Sequence, residues 1–162
     1  MNFPFHKSVL CAIHGIAHCL KRERNMRVHT VAALYVLFFS VFFRFTPAEY
    51  GVLILTIGSV LSAELFNTAA EDLCDFVSPG FAERIGSVKD LAAGAVLVCA
   101  LAALGVGAAL FWRPEQIAEL GAWLLGQPWR LPILLLSLIP AIGFIVLPGR
   151  GGKDGKRPLR PR

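Results

Sequence analysis

Residues 60–77, VLSAELFNTAAEDLCDFV, combine the end of an apolar run with acidic side chains. At about 100° per residue, four polar residues of this stretch fall on successive turns of one helix face: Glu64, Asn67, Glu71 and Asp75. Carboxylates on one face suit proton transfer or the binding of a divalent cation. Glu64 is the strongest candidate, because it follows thirteen uncharged residues (51–63), and an ionisable group after so long an apolar run is retained mainly for function.

Two further charged groups are expected near this acidic face. Lys89 and Asp90, in SVKDLAAG, are the last charges before an apolar run, and Glu23, in KRERNMRVH, precedes another. If all of them lie at one membrane boundary, Glu23, Glu71 and Asp75 are able to hold Mg²⁺. The Lys89 ammonium is then placed to contact phosphate. Interfacial snorkelling is the alternative for Glu23 and Lys89.

The composition predicts a small integral membrane protein. The chain has 162 residues, is 56% hydrophobic and 17% charged, and has a mean hydropathy of +0.62, which fits about one membrane domain rather than a soluble one. For Asp72 and Asp75, simple solvation beyond the membrane is an equal alternative to a role in a site. The four cysteines show no C-x-x-C spacing and are interpreted as free thiols.

The apolar runs predict an all-α fold with an N-terminal amphipathic surface helix (residues 3–24) and three core transmembrane helices. The predicted organisation is a core at 1–112 with spans at 28–43, 50–77 and 91–112, an interfacial linker at 113–130, a marginal fourth transmembrane helix at 131–147, and a basic cytoplasmic tail at 148–162. Small residues recur every fourth position in the third span and favour close helix packing: Ala95, Cys99, Ala103 and Gly107.

The basic residues predict the orientation. With a cytoplasmic N-terminus and four spans, thirteen Lys and Arg residues lie inside and only Arg44, Arg113 and Arg130 lie outside. Both termini are therefore expected in the cytoplasm. The net charge of +5 resides in the tail from Arg150 onward, and such a tail favours anionic lipid over nucleic acid as its partner.

One spaced motif resembles a known family. The segment AELFNTAAEDLCD, followed fourteen residues after Asp75 by KD, resembles the E-x-x-N-[ST]-A-x-E-x-x-x-D…K-D pattern of the bacterial integral-membrane diacylglycerol and undecaprenol kinases. ERNMRVH fits the segment that enters their first membrane helix, and the similarity covers about residues 7–112. The resemblance implies a homotrimer in the bacterial inner membrane, with a surface helix and three spans per chain.

The resemblance also implies roles for the site residues. Glu64 is the general base that takes the proton from a lipid hydroxyl, and Asn67 hydrogen-bonds beside the reacting groups. Glu23 and Glu71 bind the Mg²⁺ that accompanies ATP, and Asp75 is a supporting acid. Undecaprenol and diacylglycerol both offer a primary hydroxyl, so the catalytic residues do not discriminate between the two lipids. The segment ERN followed by RVH resembles the undecaprenol kinase branch more than the diacylglycerol kinase branch.

The resemblance also implies that Lys89 contacts the phosphates of ATP and that Asp90 faces the nucleotide. The chain departs from the family where Gly80, Phe81 and Ala82 replace a Glu-Tyr-His-like stretch, which leaves the nucleotide contacts there open. The fourth apolar segment and the basic tail also exceed the family's minimal architecture.

Two other functional classes compete with the lipid kinase. Membrane-embedded acids alone also suit a small cation-coupled transporter, but that function gives Lys89 and Asp90 no role. A non-catalytic membrane scaffold is the other alternative. His14 and His18 have the i, i+4 spacing of a Zn²⁺ or haem pair, but they fit the polar face of the surface helix.

Overall fold

The structure, a computed structural model, describes residues 4–77 and 83–146. Within these ranges the regular secondary structure is helical, which confirms the all-α membrane fold. The elements are α1 (Phe5–Arg22), α2 (Arg24–Ser40), a 3₁₀ turn (Val41–Phe43), α3 (Pro47–Val77), α4 (Glu83–Phe111), α5 (Pro114–Leu125) and α6 (Arg130–Val146). Gly80–Ala82 and the basic tail lie outside the described residues.

Three helices of the described ranges are long and apolar enough to cross a membrane: Arg24–Phe43, Pro47–Val77 and Arg84–Phe111. They correspond to the three core spans expected from the sequence. A fourth span requires that α5 and α6, which meet at 95°, count as one. The linker predicted at 113–130 contains helix α5. The fourth transmembrane helix remains a prediction.

The surface helix and the first span are separated by a single residue. Glu23 has extended backbone angles (φ −94°, ψ 123°) and lies between the end of α1 and the start of α2. Its N–H donates to the carbonyl of Cys19 at 2.7 Å, which closes the last turn of α1. Apolar side chains of α1 such as Phe5 and Ile13 are exposed in the monomer, as expected for a helix that lies on lipid.

A capped turn joins α2 to α3. The N–H of Thr46 donates to the Glu49 carboxylate at 2.8 Å, and the N–H of Glu49 donates to the Thr46 hydroxyl at 3.3 Å. This reciprocal pair is a capping box, and Pro47 takes the first helical position, where its missing N–H costs nothing. Arg44 adopts left-handed angles (φ 50°) to reverse the chain.

Helices α3 and α4 form the main antiparallel pair of the structure. Helix α3 has 31 residues, so it is about 46 Å long and exceeds a ~30 Å hydrocarbon core by several turns. Helix α4 begins at Glu83, eight residues before the expected span, and therefore Lys89 and Asp90 lie on its first turns rather than in a connection. Both helices thus extend beyond the membrane at the same end.

The hydrophobic core of the described residues lies at the opposite end. Phe43, Phe45, Leu53 and Leu110 are buried together there. Arg113 closes this end because its guanidinium donates to the Phe43 carbonyl at 3.0 Å and pairs with Glu49. The end that carries the acidic face is held by polar contacts instead.

Candidate active site

Glu64 is buried inside the helix bundle, with 1% of its surface exposed. It lies about 26 Å along α3 from Pro47, near the far boundary of a ~30 Å core. Its Oε1 is 3.3 Å from Nε2 of His29 on α2, and within the described ranges this oxygen receives no hydrogen bond. Because a carboxylate removed from water costs several kcal/mol, a buried acid at this depth is a candidate functional residue.

Asn67 and Glu71 are linked one turn further along α3. Nδ2 of Asn67, which is 8% exposed, donates to Oε1 of Glu71 at 3.0 Å. The i, i+4 spacing makes this contact possible on one helix face. The other polar atom of the amide, Oδ1, is buried and accepts no hydrogen bond from the residues that the structure describes. Asn67 therefore orients Glu71 and leaves an oxygen for another group.

Glu23 approaches the same region from the junction of α1 and α2. The pKa of its carboxyl is raised by burial and by the negative charge of Glu71, while Arg22, whose Nε is 3.3 Å away, acts in the opposite direction. Glu64 also interacts electrostatically with both Glu23 and Glu71. The structure thus brings together the three carboxylates that the sequence analysis singled out.

Lys89 and Asp75 meet beside these carboxylates. Nζ of Lys89 on α4 donates to Oδ1 of Asp75 on α3 at 2.5 Å, and the Lys89 charge also interacts with Glu71. The Asp75 side chain is 59% exposed, so this pair faces water. Asp90 is exposed on the next position of α4, adjacent to Lys89 in the chain but outside the carboxylate cluster.

An ion pair that the sequence analysis did not predict joins α1 to α3. Arg22 donates to the Asp72 carboxylate, and His18 lies 4.0 Å from the other oxygen of that carboxylate. Asp72, for which solvation was one interpretation, is thus a structural partner of the surface helix. The sequence signal was weak, because the two residues are fifty positions apart.

A second contact between α1 and α3 lies next to Glu64. The thiol of Cys19 is 3.2 Å from the hydroxyl of Thr68, and that hydroxyl donates to the carbonyl of Glu64 at 3.0 Å. Burial raises the pKa of the Cys19 thiol, so it remains neutral. Cys19 and Thr68 hold the surface helix over the buried carboxylate.

His29 is the site residue that sequence reasoning missed. It occurs in ERNMRVH, which was used only to recognise a segment, and an isolated histidine six positions after Glu23 carries no metal or catalytic spacing. Only the packing of α2 against α3 brings its imidazole to Glu64.

The described side chains fit part of a Mg²⁺ coordination sphere. No group of three or more His, Cys, Asp or Glu side chains in the described ranges forms a ready-made metal site. However, the negative charge of Glu71 contributes to the raised pKa of Glu23, and the buried Oδ1 of Asn67 accepts no hydrogen bond within the same ranges. Hard oxygen donors of this kind suit Mg²⁺, which takes one or two carboxylates and fills its remaining positions with water and substrate phosphates.

Comparison with known proteins identifies the family. The family model for prokaryotic diacylglycerol kinase matches residues 10–111, which include Glu23, Glu64, Glu71 and Lys89. The chain belongs to the prokaryotic diacylglycerol kinase family. It is therefore a lipid kinase of the bacterial membrane that uses ATP as its phosphate donor. Family membership therefore assigns the lipid kinase function, in place of the transporter or scaffold considered in the sequence analysis.

Two relatives in the prokaryotic diacylglycerol kinase family are similar to the chain. An undecaprenol kinase of Bacillus subtilis is 35% identical over 107 residues, which cover 66% of this chain and 87% of that protein. A diacylglycerol kinase of Synechocystis is 36% identical over 101 residues, covering 62% of this chain and 58% of the relative. No solved structure matches the chain significantly. Helices α5 and α6 lie beyond the family match.

Proposed function

We propose that this kinase transfers the γ-phosphate of ATP to the primary hydroxyl of undecaprenol or diacylglycerol, with Glu64 as the general base. The observation that carries the proposal is the convergence of Glu23, Glu64 and Glu71 where α3 leaves the membrane. A lipid hydroxyl reaches this boundary from the bilayer, and ATP reaches it from water. A single site is thus able to serve both substrates.

Glu64 carries the proton transfer. As the lipid oxygen attacks the γ-phosphorus, Glu64 accepts the hydroxyl proton, the new O–P bond forms, and the bond from the γ-phosphorus to the bridging oxygen breaks to release ADP. Positioning and charge neutralisation dominate phosphoryl transfer, and a positioned base adds about 10²- to 10⁴-fold. His29, 3.3 Å from Glu64, restricts the orientation of the base.

Glu23 and Glu71 hold the metal in this proposal. Their carboxylates would hold Mg²⁺, which would supply charge neutralisation for the phosphates of ATP. Asn67 fixes Glu71 through its hydrogen bond of 3.0 Å. Burial and the negative charge of Glu71 raise the pKa of Glu23, and a cation held by both carboxylates would offset this repulsion.

Lys89 and Asp90 serve the nucleotide. Lys89 exchanges its contact with Asp75 for the phosphates of ATP, because the ammonium is a flexible point charge with three donors. Asp75 then acts as a supporting acid that holds the Lys89 ammonium near the site before ATP binds. Asp90, exposed at the next position of α4, faces the nucleotide.

A small apolar cavity indicates where the lipid chain lies. The cavity, about 120 Å³ in volume, begins beside His29 and continues between α2, α3 and α4. Its wall includes Val36, Ile57 and Val106, which lie deeper in the membrane. A lipid chain in this direction places its hydroxyl at the His29–Glu64 end.

The active unit is proposed to be a homotrimer with both termini in the cytoplasm. Helix α4 exposes large apolar side chains along its length, including Leu97, Leu101 and Leu104, and such a face requires lipid or further copies of the chain. The excess of Lys and Arg on the side of the active site supports the orientation.

The deciding experiment measures phosphate transfer from ATP to undecaprenol and to diacylglycerol by the purified chain in mixed micelles. We expect activity on at least one lipid, and the ratio of the two kcat/KM values identifies the preferred one. Glu64→Gln keeps the shape of the side chain and should lower kcat by about 10³-fold or more.

Glu115→Gln is the matched control, because Glu115 is an exposed carboxylate on α5 and should leave activity unchanged. A folded wild-type protein without activity on either lipid would contradict the proposed substrates. A fully active Glu64→Gln enzyme would contradict the assigned base.

A further inference from the structure

A pocket separate from the active site lies between α2 and the C-terminal helices. Its volume is about 520 Å³, within the usual range for small-molecule sites. Leu34 and Phe38 of α2 face Ile133 and Leu134 of α6 across it. Midway, the hydroxyls of Tyr35 and Ser137 lie 2.8 Å apart and tie the two helices together. Apart from these two hydroxyls, this part of the pocket wall is apolar and suits a lipid chain.

One end of the pocket is closed by an arginine between two tryptophans. The guanidinium of Arg130 stacks on the ring of Trp123 at 4.6 Å and on the ring of Trp129 at 5.5 Å. Its Nη1 donates to the Trp123 carbonyl at 2.7 Å, whereas Nε is buried and has no hydrogen-bond partner among the described residues. Tryptophans and arginines of this kind mark the headgroup level of a bilayer.

Arg130 differs from the other arginines at this end of the bundle in its ion-pair partners. Arg44 pairs with Glu119 at 2.9 Å, and Arg113 pairs with Glu49. No carboxylate of the described ranges forms an ion pair with Arg130. A guanidinium favours a phosphate as its acceptor. The pocket thus joins an apolar trough to a cation that has no carboxylate partner among the described residues.

We infer that this pocket binds an anionic phospholipid, with its phosphate at Arg130 and one chain along α2 and α6. The lipid is not the kinase substrate. The ring of Phe42 lies 4.9 Å from that of Trp123, the partner of Arg130. Phe42 is about 20 Å along the first span from His29, so the headgroup lies in the leaflet opposite the active site. The pocket depends on α5 and α6, which are outside the family match.

Intrinsic fluorescence tests this inference, because two of the three tryptophans of the chain line the pocket. The full-length protein with Trp112→Phe is placed in bilayers that contain phosphatidylglycerol or phosphatidylcholine with brominated chains. We expect brominated phosphatidylglycerol to quench more strongly at equal mole fraction. Arg130→Gln should reduce the preference about tenfold, which corresponds to about 1.4 kcal/mol.

Two further variants separate loss of binding from loss of structure. Ala141→Phe fills the trough and should reduce quenching by both lipids while Arg130 is retained. Arg44→Asn removes a paired arginine and should leave the preference unchanged, with Asn chosen because it tolerates the left-handed backbone there. Circular dichroism and gel filtration verify the fold of each variant.

The other outcomes overturn the inference. Equal quenching by the two lipids, or an unchanged preference in Arg130→Gln, would show that the arginine does not select an anionic headgroup. Protection of Trp123 and Trp129 from both brominated lipids would show that a second copy of the chain covers the pocket.

Discussion

The imidazole of His29 and the carboxylate of Glu64 lie 3.3 Å apart in the interior of the bundle, between α2 and α3. His29 keeps 24% of its side chain exposed, whereas Glu64 keeps 2%. Since Oε1 of Glu64 receives no hydrogen bond within the described ranges, the nearby imidazole is the polar contact that bears on its orientation. The relationship therefore assigns His29 a positioning role for the proposed base.

His29→Ala should lower kcat by about tenfold or more and change the KM for ATP by less than about twofold, because the imidazole acts on Glu64 rather than on the nucleotide. His29→Gln should restore part of kcat, since its amide reaches a similar position. Steady-state kinetics in mixed micelles measure both constants. His14→Ala, on the exposed face of α1, is the control. Equal changes in kcat and in the KM for ATP would contradict the positioning role.

Asn67→Ala should raise the Mg²⁺ concentration for half-maximal activity by about 10- to 100-fold, because Glu71 loses the hydrogen bond that orients it. Glu71→Gln should raise it further, and chelation of Mg²⁺ should abolish wild-type activity. Mg²⁺ titrations at saturating ATP provide the measurement, with Glu115→Gln as the control. If Asn67→Ala lowers activity without a change in the Mg²⁺ requirement, Asn67 has another role.

Much of this site was predictable because it lies on a single helix. Helical periodicity alone places Glu64, Asn67 and Glu71 on one face of α3, and the hydropathy of the preceding residues predicts that Glu64 is at a membrane boundary. The three core spans were predictable for the same reason. Local spacing determines such features without knowledge of the tertiary packing.

Contacts between helices were not predictable in this way. The Arg22–Asp72 ion pair and the His29–Glu64 contact each join residues that are far apart in sequence, and their formation depends on the rotation of α1 and α2 about their axes. Helix α5 was missed because Pro114 and the tryptophans near it suggested an interfacial linker, although proline is favoured in the first turn of a helix.

Glu23→Gln should raise the melting temperature in metal-free buffer at pH 7.5 by about 2–4 °C. Burial and Glu71 raise the pKa of Glu23 in the folded state above its ordinary 4.5, so the folded protein favours the neutral carboxyl. Its stabilising contribution is complete below the ordinary pKa and is lost as the pH rises through the folded-state pKa. The glutamine mimics the neutral form at every pH.

The difference between the two melting temperatures should therefore shrink as the pH falls toward 4.5. Circular dichroism in micelles gives both curves, and Glu115→Gln should show no comparable gain. A melting temperature of Glu23→Gln equal to or below that of the wild type at pH 7.5 would contradict the repulsion between Glu23 and Glu71.

Lys89→Met should raise the KM for ATP by about tenfold or more, because the ammonium is proposed to leave Asp75 for the phosphates. Asp75→Asn removes only the resting partner, which lies 2.5 Å from Nζ, and should change the KM by less than about threefold. Arg84→Ala, which removes an exposed cation from the start of the same helix, is the control. A double-mutant cycle distinguishes the two roles of the lysine. If Lys89 serves only its ion pair with Asp75, both single variants and the double variant will show the same KM. If Lys89 binds phosphate, the double variant will resemble Lys89→Met while Asp75→Asn remains close to the wild type.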